Sequence, residues 1–200
     1  NINIPNIKWN NYHMHEDNFI DDIYIYALPN LLALQDQNLI PRELMPAYGG
    51  ESAGLDLYNA GPDLNVAPLT TFDTSVDTCT NWEESPEWYR KLGYKTLMPT
   101  GIKVAIPKGY VGLILERGSV TKTPLKVRAG VIDSGYTGQV FVNMINISPI
   151  PYKIASGEKS AFQLVIVPIK NQFHLCTNEE YEKQTSNSAR QSGKIGSSDK

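Results

Sequence analysis

Apolar and polar residues alternate with a period of two through much of the second half of the chain. From Gln139 to Asn146, Val140, Val142 and Met144 fall on one face and Phe141, Asn143 and Ile145 on the other, the pattern of a strand with one buried face. Ile102–Pro107 alternates in the same way. Pro107-Lys108-Gly109 then supplies turn chemistry and Tyr110–Glu116 returns, which predicts a hairpin. "PLKVRAGVI" (124–132) and "FQLVIVPI" (162–169) predict further strands. Many short strands punctuated by Gly and Pro imply an all-β fold, a jelly-roll-like sandwich or barrel. No crossover helices separate the strands, which excludes a doubly wound α/β sheet. One short helix is predicted at 86–92: Ser85 can cap it, Pro86 suits its first position and Gly93 can end it.

The same pattern sets the organisation. Residues 1–40 form an Asn-rich extension in which "DDIYIYAL" (21–28) adds a strand. Residues 41–183 make the β domain, with a polar insertion at 61–94. Residues 184–200 cannot bury anything on their own, and their composition predicts a flexible arm. The 200 residues suffice for a core without metal or disulfide support. A net charge of −3 leaves no nucleic-acid footprint and no basic membrane-surface patch. No apolar run reaches the roughly 18 residues of a membrane span, and no secretory signal is visible. Cys79 and Cys176 are far apart without ligand-like spacing, so buried thiols in an intracellular, reducing compartment are expected. His13 and His15 form a lone His-x-His, which does not by itself make a metal site. His174 is read as structural at a strand end, Trp82, Trp88 and Tyr89 as pins for the insertion, and Asp63, Asp73 and Asp77 as solvated loop acids.

One acid is placed differently. In "AGVIDSGYTGQVFVNMIN" (129–146) Asp133 ends an apolar run, Ser134-Gly135 turns the chain, and Tyr136 follows before the next strand. This reads as a hairpin with Asp133 at its tip, either a self-capping surface turn or a substrate-binding device. Four other stretches bear on the choice. Asp56 lies between apolar residues in "SAGLDLYNA" (52–60). "ERGSVTK" (116–122) offers Arg117, Gly118, Ser119 and Lys122 after a strand. "GEKSAFQL" (157–164) carries Gln163. The tail sets Arg190 ahead of Gly193, Gly196, Ser197 and Ser198, a composition suited to wrapping phosphate.

In this order the five stretches resemble the motifs of the trimeric dUTPase family, the deoxyuridine triphosphate nucleotidohydrolases. The resemblance covers about 45–60 and 96–198. AG-x-DL at Ala53–Leu57 and G-x-ID-x-x-Y-x-G at Gly130–Gly138 are its most specific members. It implies a jelly-roll-like homotrimer with active sites at subunit interfaces, hydrolysing dUTP to dUMP and diphosphate with Mg²⁺. It implies that Asp56 helps hold the hydrated magnesium, and that Arg117, Gly118 and Ser119 bind phosphate. Asp133 orients and deprotonates the attacking water. Tyr136 packs on deoxyribose beside the Gly130-Val131-Ile132 backbone that meets uracil. Gln163 lies near the phosphates. Arg190, Ile195, Gly196, Ser197 and Ser198 belong to the arm that closes over the triphosphate.

The sequence departs from the family pattern at four places. Arg117-Gly118-Ser119 stands where Arg-Ser-Gly is usual. The usual basic residue of the fourth motif falls on Lys159 if counted from Gly157 and on Ser160 if counted from Gln163, with Phe162 an extra residue between. Ile195 stands where a Phe is usual, and Gln191 where the tail's first Gly is usual. Two rival readings remain. A dCTP deaminase of the same fold places a catalytic Glu five residues past the Gly that is Gly138 here. That position is Asn143, and an amide cannot cycle a proton. A regulatory or structural jelly-roll protein would use the appendages as its working surface.

Overall fold

The computed structural model describes residues 23–68 and 97–187. The helix expected at 86–92, His13, His15, Asp73, Asp77, Cys79, Trp82, Trp88, Tyr89 and the tail residues Arg190, Ile195, Gly196, Ser197 and Ser198 lie outside them. The chain divides after Ile169 into two units, each described by itself.

The first unit is built from antiparallel strands. β2 (Leu55–Tyr58), β11 (Lys159–Pro168), β6 (Tyr110–Glu116) and β8 (Val131–Ile132) form one sheet, in that order. β4 (Leu97–Pro99), β9 (Phe141–Asn146) and β7 (Leu125–Arg128) form a second. Two ribbons, β1 (Tyr24–Ala27) with β5 (Ile102–Ala105) and β3 (Leu64–Val66) with β10 (Tyr152–Ile154), complete it. The inward residues of both sheets share one core that includes Leu57, Met98, Ile114, Val140, Val142, Met144, Phe162 and Leu164. The all-β, jelly-roll-like class therefore holds, and the alternation of β9 is as the pattern predicts, with Val140, Val142 and Met144 fully enclosed.

Strand partners differ from the sequence expectation in two instructive places. The Pro107–Gly109 turn forms, with Tyr110 N–H donating to Pro107 O at 3.1 Å and Gly109 at φ +88°. Yet β5 pairs with β1, while β6 pairs with β11 and β8. The turn is local chemistry; the ladder belongs to whichever strand covers the apolar face. Likewise "PLKVRAGVI" is not one strand. Ala129 takes φ +46°, and Gly130 then comes so close to β6 that an added Cβ would lie 2.6 Å from Ile114 O. β8 consequently joins β6 rather than β9. The hairpin expected around Asp133 is thus a wide one, with β7 and β9 as its arms and the last registered pair at Arg128–Asn143.

The N-terminal extension supplies the expected strand, β1, and also an unpredicted helix, α1 (Pro29–Asp36). Pro29 fits a first helical position because its missing N–H has no intrahelical role there. Leu31 and Leu34 face the core, and buried Gln35 donates to Pro41 O and Arg42 O at 2.6 and 3.1 Å. In the second unit, α2 (Asn178–Thr185) starts at a capping box in which Thr177 and Glu180 bond reciprocally. The Thr177 backbone N–H and then its hydroxyl hold the Glu180 carboxyl below its ordinary range. Cys176 is exposed, not buried as expected, and His174 is exposed outside any strand: β11 ends at Pro168, and residues 170–176 join no sheet or helix. Asp63 is more than a solvated acid: it accepts from Lys153 Nζ at 2.6 Å and from Ser156 N–H at 2.9 Å, which lowers its pKa.

The turn between β4 and β5 ties the extension to the core. Gly101 sits at φ +70°, and a Cβ there would lie 2.6 Å from Leu31 Cβ and 2.7 Å from Ala60 Cβ. Gly101→Ala combines a disfavoured backbone with overpacking and should cost about 1–3 kcal/mol. A fall of several degrees in Tm by calorimetry is expected; an unchanged Tm would mean that α1 does not pack on this turn.

Candidate active site

Three elements bring the phosphate-type residues together. β2 is enclosed on both faces, so Asp56 is only 9% exposed. A lone buried carboxylate would be costly, and two cations meet it. Arg117, at the end of β6, brings Nε to 2.6 Å from Asp56 Oδ1; Lys159, at the start of β11, brings Nζ to 2.5 Å from Oδ2. Arg117 also donates from Nη1 to Ser160 O at 2.8 Å, and its own backbone N–H donates to Ala161 O at 2.8 Å. The guanidinium is therefore held between Asp56 and β11, and the Arg117 backbone is held on β11 as well.

The fourth motif owes its placement to an irregularity. Lys159 registers with Tyr58 and Gln163 with Asp56, so three residues of β11 stand opposite the single Leu57. Such a bulge re-aims side chains. Ser160, Ala161 and Phe162 are all buried, and the Ser160 hydroxyl turns inward to donate to Leu57 O at 2.7 Å. Phe162 is wholly enclosed. Of the two candidates for the usual basic position left open by the sequence, Lys159 is the one at Asp56. Its start point is anchored by Asn59, fully buried, whose amide donates to Pro62 O, Ile154 O and Ala155 O and whose Oδ1 accepts from Gly61 N–H. Gln163 donates to Glu116 O at 3.2 Å. Gly54 makes room for it, since a Cβ there would lie 2.6 Å from Gln163 Oε1. That contact is a physical reason for the glycine of AG-x-DL.

Gly118 and Ser119 open a 3₁₀ turn, Gly118–Lys122, closed by Val120 N–H to Arg117 O at 2.9 Å. An added Cβ at Gly118 meets nothing, so packing does not dictate the Gly-Ser order. Between this turn and β10–β11 lies a cavity of about 210 Å³, lined by Ser119, Lys122, Tyr152, Glu158, Lys159 and Ser160 among others. Burial, and then the nearby Glu158 carboxylate, raise the pKa of Tyr152. Lys122 was visible in its motif. Glu158 adjoins Lys159 in its motif, whereas Tyr152 carried no local signal, because the pairing of β10 with β3 positions it.

The remaining candidates sit elsewhere. Gly130, Val131 and Ile132 run along β8 to Asp133, which is exposed and whose carboxylate has no partner among the described residues. Tyr136 N–H donates to Asp133 O at 3.0 Å, closing the tip, and Tyr136 Oη donates to Gln139 O at 2.6 Å. Gly138 lets that ring fold back, since a Cβ would lie 2.6 Å from Tyr136 Oη. The Tyr-x-Gly spacing thus has a steric cause. β2 and β8 are opposite edges of a four-stranded sheet. Three interstrand steps of about 4.8 Å separate Asp56 from the Asp133 loop by roughly 14 Å across the strands.

The geometry predicts different effects for neighbouring residues. Lys159→Met should weaken binding of inorganic diphosphate about tenfold or more by calorimetric titration, the loss of one charge-assisted contact. Ser160→Ala should lower Tm with little effect on that affinity. The reverse pattern would make Ser160 the anion ligand.

A family model of the dUTPase matches residues 84–199. The deoxyuridine 5'-triphosphate nucleotidohydrolase of Wolbachia pipientis subsp. Culex pipiens is 39% identical over 159 residues, 77% of this chain and 86% of its own length. That of the Wolbachia of Brugia malayi is 33% identical over 77% of this chain and 84% of its own. Among solved structures, the Staphylococcus bacteriophage 80alpha dUTPase with dUPNHPP aligns at TM-score 0.59 and 24% identity, covering 89% of this chain and 98% of that one. A phage phi11 dUTPase mutant, whose structure reveals the coordination of a structural Mg(II) ion, aligns at 0.53 and 24% identity, covering 81% and 99%. These structures speak for the fold; the sequence relatives speak for more. Two nucleotidohydrolases above 30% identity span most of this chain and of themselves, and the family model covers more than half of the chain, so the chain belongs to the dUTPase family.

Proposed function

We propose that this chain hydrolyses dUTP to dUMP and diphosphate at a site shared between subunits of a homotrimer. The observation that carries this reading is the pairing of Asp56 with both Arg117 and Lys159 beside an open cavity. Phosphoryl transfer needs positioning and charge neutralisation more than covalent chemistry. Arg117 and Lys159 supply two positive charges to phosphate oxygens, with Ser119 and Gln163 as uncharged donors. Asp133 accepts a proton from the water that attacks the α-phosphate as diphosphate departs. A carboxylate open to solvent and without a partner among the described residues suits that task. Tyr136, held by its bond to Gln139 O, presents its ring face to the sugar.

The family resemblance also implies magnesium. Among the described residues no group of three His, Cys, Asp or Glu side chains forms a metal site, and both oxygens of Asp56 engage cations. One carboxylate suits Mg²⁺ only as a partner of a hydrated ion already held by phosphates, which is the common mode for this ion. Asp56 is the residue that would hold it there, once phosphate has drawn Arg117 or Lys159 away. When bound, the ion would offset charge on the triphosphate.

The shared site follows from distance. A base near one phosphate and an acid beside the same phosphate chain cannot stand roughly 14 Å apart across a sheet. The Asp133 loop of one subunit must then serve the Asp56 cluster of another. No helix among the described residues is long and apolar enough to cross a membrane; an intracellular setting is part of the same proposal.

Asp133→Asn should reduce turnover about 10²–10⁴-fold with nucleotide affinity held within a few-fold. Asp56→Asn should also be nearly inactive. Mixing the two after subunit exchange should restore a fraction of the activity, read as diphosphate release. If sites are completed within one chain, mixed trimers stay dead and the shared-site reading falls. No dUTP turnover by the unaltered protein, with Mg²⁺ present, would remove the function itself.

A further inference from the structure

Asn143 is the one described residue whose buried side-chain oxygen, Oδ1, has no hydrogen-bond partner. It lies on β9, only 9% exposed, facing away from the Val142–Met144 side of the strand. A buried amide oxygen without a partner opposes folding, and an aliphatic residue of the same size would be better tolerated. Every other buried polar side chain among the described residues is satisfied. Asn59 makes three donor bonds; Asn146 donates to Val66 O and Ile150 O and accepts from Ser148. The exception calls for a ligand.

Its position suggests which. Asn143 registers with Leu97 on one side and Arg128 on the other, and Arg128–Asn143 is the last pair of the β7–β9 ladder. Immediately beyond it, Ala129 at φ +46° turns the chain away, and Gly130 O accepts from Ile114 N–H at 2.7 Å. The two limbs that lead to the Asp133–Tyr136 tip therefore diverge, one onto β6 and the other onto β4. No ladder bonds join residues 131–132 to β9. Asn143 stands at the closed end of this split, on the strand that continues from Tyr136 through Gly138.

We propose that Asn143 is a base-reading residue, its Oδ1 accepting the N3–H of uracil, the only donor on that base's pairing edge. This rests on the dUTP reading above. Filling an otherwise orphaned acceptor makes the contact selective, because a base without a donor at that point leaves two acceptors facing each other. The residue binds; it takes no part in proton transfer.

The test uses the full-length protein, Asn143→Leu and, should Leu prevent folding, Asn143→Val. Removing the acceptor should raise KM for dUTP and Ki for dUMP about tenfold, with kcat changed less than about threefold. Inhibition by inorganic triphosphate, which has no base, should be unaltered. Tm should match or exceed that of the parent, since an unsatisfied polar atom has been removed. An unchanged Ki for dUMP overturns the proposal while leaving dUTP hydrolysis standing. Equal losses for dUMP and inorganic triphosphate, with a lowered Tm or a dissociated trimer by light scattering, also overturn it: Asn143 would then hold the fold or a subunit contact. Failure of the parent protein to turn over dUTP is a separate result, directed at the function and not at Asn143.

Discussion

The carboxylate of Asp56, enclosed between Arg117 and Lys159, is the interaction on which the site depends. Each of its three members comes from a different strand end. Removing water from a charge is costly, and Coulomb attraction offsets that cost only where geometry is good and the remaining donors are satisfied. Here the Arg117 guanidinium adds a bond to Ser160 O to its ion pair with Asp56, and its backbone N–H is held by Ala161 O. Lys159, more exposed, is the looser partner. The bulge in β11 sets the register of the site: without the extra residues opposite Leu57, Ala161 rather than Gln163 would stand opposite Asp56.

On the proposed function, an ion pair of this kind presents two cations to a phosphate chain. A triphosphate offers more negative charge than one carboxylate, and its oxygens can take bidentate bonds from a guanidinium. On that reading substrate would compete with Asp56 for Arg117 and Lys159.

Much of the site was legible in the chain. Gly54, Gly130 and Gly138 occupy their motif positions because side chains or a carbonyl come within 2.6 Å of where a Cβ would stand. Such requirements are local and leave a mark on the sequence. The choice between Lys159 and Ser160 was not legible, because it turned on a change of register between two strands about 100 residues apart in sequence. The cavity member Tyr152 was invisible because the pairing of β10 with β3, again distant in sequence, positions it. α1 was missed because β-type alternation dominates its surroundings and its cap lacks a hydroxyl or carboxylate side chain.

What the sequence determined by itself was the class of fold, the turns and the ordered motifs. Alternation, Gly at positive φ and Pro act through a residue and its immediate neighbours, so they survive without knowledge of the rest. Tertiary structure alone decided who pairs with whom. Pro107–Gly109 and Asp133–Tyr136 both turn as expected, yet each sends its two limbs into different pairings. A strand's backbone donors are satisfied equally well by any neighbour of suitable register, and its side-chain pattern specifies a buried face without naming the partner strand. Only the shared core selects the pairing. By splitting the Asp133 limbs between two sheets, that selection sets Asp133 and Asp56 at opposite edges of one sheet.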